Sequence, residues 1–130
     1  MKKKILIVAS DYYKDITNSL VKDAEKSLNA YKHKVSIITV PGTFEIPFAL
    51  IKNIKKYDGF LALGCVIKGE TPHFDFICKS TFDAIISISI SYKKPITNAL
   101  ITCLTMEQAE QRSIKKGKEA AEALIKILKI

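Results

Sequence analysis

Four continuous apolar runs alternate along the chain with four amphipathic stretches, and this alternation most constrains the fold. The runs are rich in β-branched and small apolar residues, as expected of strands that are covered on both faces. Between them, apolar residues recur at helical spacing. The predicted strands are KILIVAS (4–10), VSIITV (35–40), GFLALGCVI (59–67) and ITNALITCL (96–104).

The intervening stretches predict four helices, at residues 16–31, 44–56, 73–92 and 106–130. Thr17 or Asn18 is expected near the cap of the first helix. Pro47 fits the second helix only in its first turn. The tail ISISIS of the third helix could also form a strand, and a weak point is expected in the fourth around residues 115–117.

The order β-α-β-α-β-α-β-α predicts a single domain over residues 1–130, with a parallel sheet between two helical layers. Ligands of such α/β folds bind beyond the carboxyl ends of the strands. Three of the predicted strands end in loops with polar or turn-forming residues. These loops are SDYY (10–13), PGTFE (41–45) and KGETPHFD (68–75). A binding site is therefore predicted at this edge of the sheet.

The composition excludes several classes of protein. No apolar run approaches the roughly 20 residues that span a bilayer. The start MKKKILIVAS resembles a signal peptide, but its apolar core is too short, so a first strand and a cytoplasmic location are predicted. Cys65, Cys78 and Cys103 are widely spaced and form no C-x-x-C motif, which predicts neither disulfides nor a metal site.

The net charge of +8 is compatible with nucleic acid or small anions as binding partners. The lysines are scattered, however, and aromatic residues are not interleaved with them as in a stacking platform for bases. A solvated lysine-rich surface is the favoured interpretation, with phosphorylated metabolites second and nucleic acid third. Neither nucleic acid nor a membrane is expected as a partner.

His73 is the strongest candidate for acid–base chemistry. It opens a predicted helix, where free N–H groups and the helix dipole favour an anion. Glu70 and Thr71 precede it, and a neutral imidazole beside an anion could transfer protons near pH 7. Asp75 could orient the ring. The alternative is a histidine that only caps or packs at a helix start, and His33 in its polar loop has only such a structural interpretation.

The loops after the first two strands carry aromatic residues. Phe44 could form an aromatic wall and Glu45 could bind hydroxyl groups, although Thr43 and Glu45 also suit a plain helix start. Tyr12 and Tyr13 could stack on a planar heterocycle, or be ordinary surface tyrosines.

Arg112 is the only arginine among 21 basic residues, and its planar fork suits a phosphate. The segment EQAEQRS also fits an ordinary solvated helix face. The residues alone thus predict an α/β domain that binds a small anionic ligand, and they name no substrate.

Three segments together resemble the lumazine synthase family. They are PGTFEIP (41–47), GCVIKGETPHFD (64–75), and MEQAEQRS followed by KKGKEAA (106–121), in the family's order and at about its spacing. The resemblance implies a flavodoxin-like three-layer α/β/α sandwich with a four-stranded parallel sheet. It also implies condensation of 5-amino-6-(D-ribitylamino)uracil with 3,4-dihydroxy-2-butanone 4-phosphate. The products are 6,7-dimethyl-8-ribityllumazine, phosphate and water, and no metal or organic cofactor is used.

The resemblance assigns roles to the residues around the phosphate. His73 matches the proton-transferring histidine, and Arg112 matches the arginine that pairs with the butanone phosphate. Glu70 and Thr71 match the loop whose backbone holds that phosphate. Lys116 matches a lysine that a neighbouring subunit contributes to the active site, because the family's active sites lie between subunits.

Other residues match family positions that bind the second substrate, the uracil. Some positions differ from the family's usual residues. Asn98 stands where the family often has a phenylalanine that reaches across the interface, and Asp11 stands where an arginine is common. The chain is also shorter than many members between Arg112 and Gly117. The residues matched to the uracil are Tyr12 (stacked on the pyrimidine), Thr43, Phe44 and Glu45 (ribityl chain and ring), and Cys65, Val66 and Ile67 (backbone contacts to the pyrimidine).

Two alternative functions remain open at this point. One is a non-catalytic flavin- or lumazine-binding protein of the same fold, and the other is a related riboflavin synthase. Small-molecule substrates are the expected partners, and riboflavin synthase is a further candidate. A homo-oligomer is expected, with a closed pentamer favoured over an icosahedral shell because the first strand begins within four residues of Met1 and leaves no N-terminal arm.

Overall fold

The computed structural model describes residues 2–130 and contains a four-stranded parallel sheet between two layers of helices. The sheet order is β2-β1-β3-β4, so the first strand lies inside the sheet. This confirms the predicted α/β sandwich. The elements are β1 (Lys4–Ser10), α1 (Lys14–Ala30), β2 (Lys34–Val40), a 3-10 turn (Thr43–Glu45), α2 (Ile46–Asn53), β3 (Gly59–Ile67), α3 (His73–Tyr92), β4 (Ile96–Cys103) and α4 (Met106–Ile127).

The start of α1 differs from the sequence prediction. The helix begins at Lys14, and neither Thr17 nor Asn18 caps it, since the N-cap residue is Tyr13 and makes no side-chain capping bond. The hydroxyl of Thr17 instead donates a buried hydrogen bond to the carbonyl of Ser10 at the end of β1. The predicted cap was wrong because this hydroxyl joins the helix to the neighbouring strand.

The segment between β2 and β3 is not one continuous α-helix. It opens with the 3-10 turn, and α2 follows with Pro47 in its first turn, where a missing N–H costs no helical hydrogen bond.

ISISIS is helical rather than extended, since α3 continues to Tyr92 and buries Ile85 against the sheet. The helix stops where Lys93 adopts a left-handed conformation with φ of 53°. No helix within residues 2–130 is both long and apolar enough to cross a membrane.

Consecutive residues of the central strands serve two separate cores. Ile5 and Ile7 of β1 pack with α1 and α4, while Leu6 and Val8 pack with α2 and α3. Side chains of a strand alternate between its two faces, and both faces here are covered by helices. This is why the strand is apolar at every position instead of at every second one.

The two helices on one face approach closely at Gly117. This glycine is buried within α4, and a Cβ there would overlap the carbonyl oxygen of Leu20 and lie 3.2 Å from the backbone nitrogen of Ala24 in α1. The weak point expected at residues 115–117 was wrong, because α4 runs unbroken through it. The glycine marks a helix crossing.

The carboxyl edge of the sheet is uneven. The pairing of β1 with β3 ends at Ala9 and Leu63, whereas β3 continues to Ile67 and pairs there only with β4. The last four residues of β3 therefore lie beyond its pairing with β1, which leaves an opening at this edge.

Gly117→Ala should lower the free energy of unfolding by about 1–3 kcal/mol, the usual cost of overpacking a tight contact. Alanine favours a helix over glycine by about 1 kcal/mol, but the backbone of α1 cannot yield as a flexible side chain would. Urea denaturation at one fixed protein concentration measures the change.

Gly69→Ala is the matched control, because nothing lies within 4 Å of a Cβ built there. We expect its unfolding midpoint to stay near that of the unmodified protein. Equal midpoints for the two variants would contradict the close approach of α1 and α4.

Candidate active site

A cleft of about 740 Å³ lies at the carboxyl edge of the sheet. It is bounded by the loops after β1 and β2, the projecting end of β3 and the start of α3. Eight of the residues proposed from the sequence line it. The full lining is Tyr12, Tyr13, Pro41, Gly42, Thr43, Phe44, Glu45, Cys65, Val66, Ile67, His73 and Ile77.

The projecting end of β3 offers main-chain hydrogen-bonding groups to the cleft. The N–H of Lys68 donates to the carbonyl of Cys103, so even-numbered residues here direct their main-chain groups towards β4. Cys65 and Ile67 direct theirs to the opposite side, where β1 has stopped pairing after Leu63. This side of β3 lies beyond its last pair with β1 and faces the cleft.

Aromatic rings stand at the mouth of the cleft. The rings of Tyr12 and Tyr13 meet edge to face, with centroids 5.0 Å apart. Tyr12 is 73% exposed and Phe44 is 63% exposed, while Tyr13 is half-buried. Burial, reinforced by neighbouring Tyr12, raises the pKa of Tyr13, which therefore stays a neutral phenol at pH 7. Exposed flat rings at a cleft suit stacking on a planar ligand.

The loop after β2 turns tightly at Gly42. The N–H of Glu45 donates to the carbonyl of Gly42, and a Cβ at Gly42 would lie 2.9 Å from a carboxylate oxygen of Glu45. Glycine therefore lets this carboxylate fold back over the loop. Thr43 is buried beneath it, and the exposed Glu45 can accept hydrogen bonds from hydroxyl groups.

His73 is the first residue of α3, and its side chain lines the cleft. Its main-chain N–H donates to the hydroxyl of Thr71 over 3.4 Å. Glu70 and Thr71 lie on the exposed loop before the helix, next to His73 but outside the cleft lining. Within residues 2–130, no hydrogen bond joins the Asp75 carboxylate to His73, so the orienting role considered for Asp75 has no support in this geometry.

Cys65 forms part of the wall as a neutral thiol. It is 4% exposed, and burial, followed by the influence of Cys103, raises its pKa to about 12. A thiol with so high a pKa is a poor nucleophile at neutral pH. Among residues 2–130, no three His, Cys, Asp or Glu side chains are grouped to hold a metal ion.

Three proposed site residues lie away from this cleft. Asn98 is on the edge strand β4, and Arg112 and Lys116 are on α4, which packs on the opposite face of the sheet from α3. All three side chains are exposed. The guanidinium Nη1 of Arg112 donates to the carbonyl of Thr102 over 2.7 Å. Asn98 alternates with Ala99 along β4 and lies on the α3 face, so the three residues do not share one surface. Asn98, Arg112 and Lys116 are together called the outer flank.

The cleft also includes four residues to which the family resemblance assigned no role. Pro41 and Gly42 shape the loop before Thr43, and Tyr13 follows Tyr12. Ile77 lies four residues after His73, one helical turn along the same face of α3. That spacing was the available signal for Ile77.

Comparison with known proteins gives one consistent family. A family model described as 6,7-dimethyl-8-ribityllumazine synthase matches residues 2–130. Proteins of that name from Leuconostoc mesenteroides and Aliarcobacter butzleri are 40% and 38% identical over 134 residues, covering 98% of this chain and 86% of each relative. Another from Corynebacterium kroppenstedtii is 37% identical over 128 residues, covering 94% of this chain and 80% of the relative.

Proposed function

The chain therefore belongs to the 6,7-dimethyl-8-ribityllumazine synthase family, and we propose that the cleft at the carboxyl edge of its sheet is the active site. It is a transferase of riboflavin biosynthesis. It condenses 5-amino-6-(D-ribitylamino)uracil with 3,4-dihydroxy-2-butanone 4-phosphate to give 6,7-dimethyl-8-ribityllumazine, phosphate and water. The relatives favour this enzyme over a non-catalytic flavin-binding protein or a riboflavin synthase.

The projecting end of β3 is the observation that supports this site most directly. A pyrimidine ring presents donors and acceptors along its edge, and the main-chain groups of Cys65 and Ile67, which lie beyond the last β1–β3 pair, can bind such an edge. Val66 lies between them. Tyr12 then stacks on the flat face of the ring.

The loop after β2 is proposed to bind the ribityl chain. This chain carries hydroxyl groups, and the carboxylate of Glu45 accepts hydrogen bonds from them. Thr43 adds a hydroxyl beneath the loop, and Phe44 covers the ring from the exposed side.

His73 is proposed to transfer protons between the two substrates. Imine formation requires a proton to leave the attacking amine and another to reach the departing water, and an imidazole serves both needs near pH 7. Glu70 and Thr71 lie beside it on the loop that leads into α3. The positive end of the α3 helix dipole favours the phosphate at this end of the cleft.

His73→Ala should lower kcat by about 10²–10⁴-fold, the usual contribution of a positioned acid–base group. Some turnover should remain, because the amine and the ketone react without help. The assay mixes purified protein with both substrates and follows lumazine absorbance and phosphate release.

His33→Ala is the matched control, because the chain has only two histidines. The Nδ1 of His33 accepts a bond from the N–H of Lys3 at the opposite edge of the sheet. Its loss should leave kcat unchanged. Unchanged turnover in His73→Ala would remove His73 from the mechanism.

The outer flank is proposed to complete the cleft of a neighbouring subunit. The chain acts on small molecules as an oligomer, and Asn98, Arg112 and Lys116 do not line the cleft of their own chain. The fork of Arg112 suits the butanone phosphate, and Lys116 adds a second positive charge. Asn98 supplies a polar group where many relatives have an aromatic ring.

Arg112→Ala should raise the KM for the butanone phosphate about 10- to 100-fold, the scale of a hydrogen bond to a charged group. The KM for the uracil should change much less, because the lost contact is to phosphate. Steady-state kinetics with each substrate varied in turn make the measurement. Lys115→Ala removes an exposed charge three residues away and is the control. An equal rise in both KM values would contradict a phosphate contact.

We expect a closed pentamer of the 14.5 kDa chain. The α2 and α3 layer exposes Phe48, Phe76, Ile86 and Ile90, more apolar surface than a monomer of this size normally leaves free. Native mass spectrometry and light scattering measure the assembly. Hollow shells would contradict the pentamer, and a monomer with full activity would contradict the shared cleft.

A cytoplasmic location is also part of the proposal, because all three cysteines carry free thiols, as is usual in reducing compartments. An association with riboflavin synthase stays a prediction of the resemblance.

A further inference from the structure

Three hydrogen bonds fix the turn between β4 and α4. We call residues 102–105 the β4–α4 corner. The side-chain oxygen of Gln108 accepts from the N–H of Leu104 over 2.8 Å, and the N–H of Gln108 donates to the hydroxyl of Thr105 over 3.1 Å. One turn further along α4, Arg112 donates from Nη1 to the carbonyl of Thr102 over 2.7 Å.

These bonds make Gln108 the central residue of the β4–α4 corner. Leu104 follows the last residue of β4 and precedes α4, so neither the sheet nor the helix supplies a partner for its N–H. The Gln108 side chain supplies one, while Thr105 caps the helix in return. Gln108 and Arg112 are four residues apart, so they lie on the same face of α4 and both turn back onto the corner.

The β4–α4 corner determines the position of the Arg112 guanidinium group. A guanidinium has five N–H donors, and the bond to Thr102 uses one of them. The others remain for a ligand, and a side chain already held at one nitrogen loses less conformational freedom on binding. Thr102 is held in β4 by pairing with β3, whereas Gln108 ties α4 to Leu104 just after that strand. Without the Gln108 bond, the start of α4 is free to move relative to β4, and Arg112 loses its bond to the Thr102 carbonyl.

We propose that Gln108 is a positioning residue, which holds the β4–α4 corner so that Arg112 presents its free donors to the phosphate of the butanone substrate. This inference rests on the proposed role of Arg112 in binding phosphate. Gln108 itself makes no contact with substrate.

Gln108→Met tests the inference, because it keeps the length of the side chain and removes the acceptor. We expect the KM for the butanone phosphate to rise about three- to tenfold, the worth of one lost hydrogen bond. The KM for the uracil and kcat should stay within about twofold, since neither depends on this bond. Gln111→Met is the matched control, because Gln111 is exposed on the same helix and takes no part in these bonds.

A double-mutant cycle separates positioning from a general loss of structure. In the Arg112→Ala background, Gln108→Met should have no further effect on the KM for the butanone phosphate, because the group it positions is absent. An additive rise, or an equal rise in both KM values, would overturn the inference.

A second measurement does not depend on activity. Because the chain has one arginine, labelling with ¹⁵N-arginine gives NMR signals from the Arg112 guanidinium alone. We expect Gln108→Met to move these signals and Gln111→Met to leave them in place. Unmoved signals in Gln108→Met would overturn the positioning role, even if Arg112→Ala confirms the phosphate contact. If the signals move but Arg112→Ala changes both KM values equally, the proposed phosphate contact is the step that fails, and this inference fails with it.

Discussion

The parallel pairing of β1 with β3 at the centre of the sheet is the constraint on which the rest of the structure depends. Because both strands are covered on both faces, each must be apolar throughout, and one strand therefore organises two cores at once. The point where the pairing stops, at Ala9 and Leu63, also determines the cleft. Beyond it, the end of β3 pairs only with β4, and its other side faces the cleft.

The sequence was sufficient to predict the fold and most of the cleft. Continuous apolar runs alternating with amphipathic stretches admit few arrangements other than a parallel sheet between helices. Tyr12, Phe44 and Cys65 could be anticipated as neighbours because each lies at or just after the end of a strand, and parallel strands end at a common edge. In these cases the order of the strands and helices along the chain is enough to predict which residues are neighbours.

The predictions that failed depended on contacts between distant segments. Thr17 has the right chemistry for a helix cap, but its hydroxyl is bound to Ser10 at the end of β1. The local sequence around Gly117 predicts a weak point in the helix. In the structure, this glycine lies where α4 contacts the backbone of α1. Arg112 lies outside the cleft of its own chain because α4 packs on the face of the sheet opposite α3, and no local pattern shows which face a helix covers.

The position of Arg112 is determined by contacts on both sides of it along α4. The contact of Gly117 with α1 fixes the helix five residues after Arg112, and the bonds of Gln108 and Thr105 fix it four or more residues before. Between two fixed points a helix has little freedom to slide or rotate, so the backbone of Arg112 is set by the fold of its own subunit. Only the long side chain then keeps conformational freedom, and its bond to Thr102 already restrains one nitrogen. The position of Arg112 on the surface of its subunit thus depends on packing within its own chain.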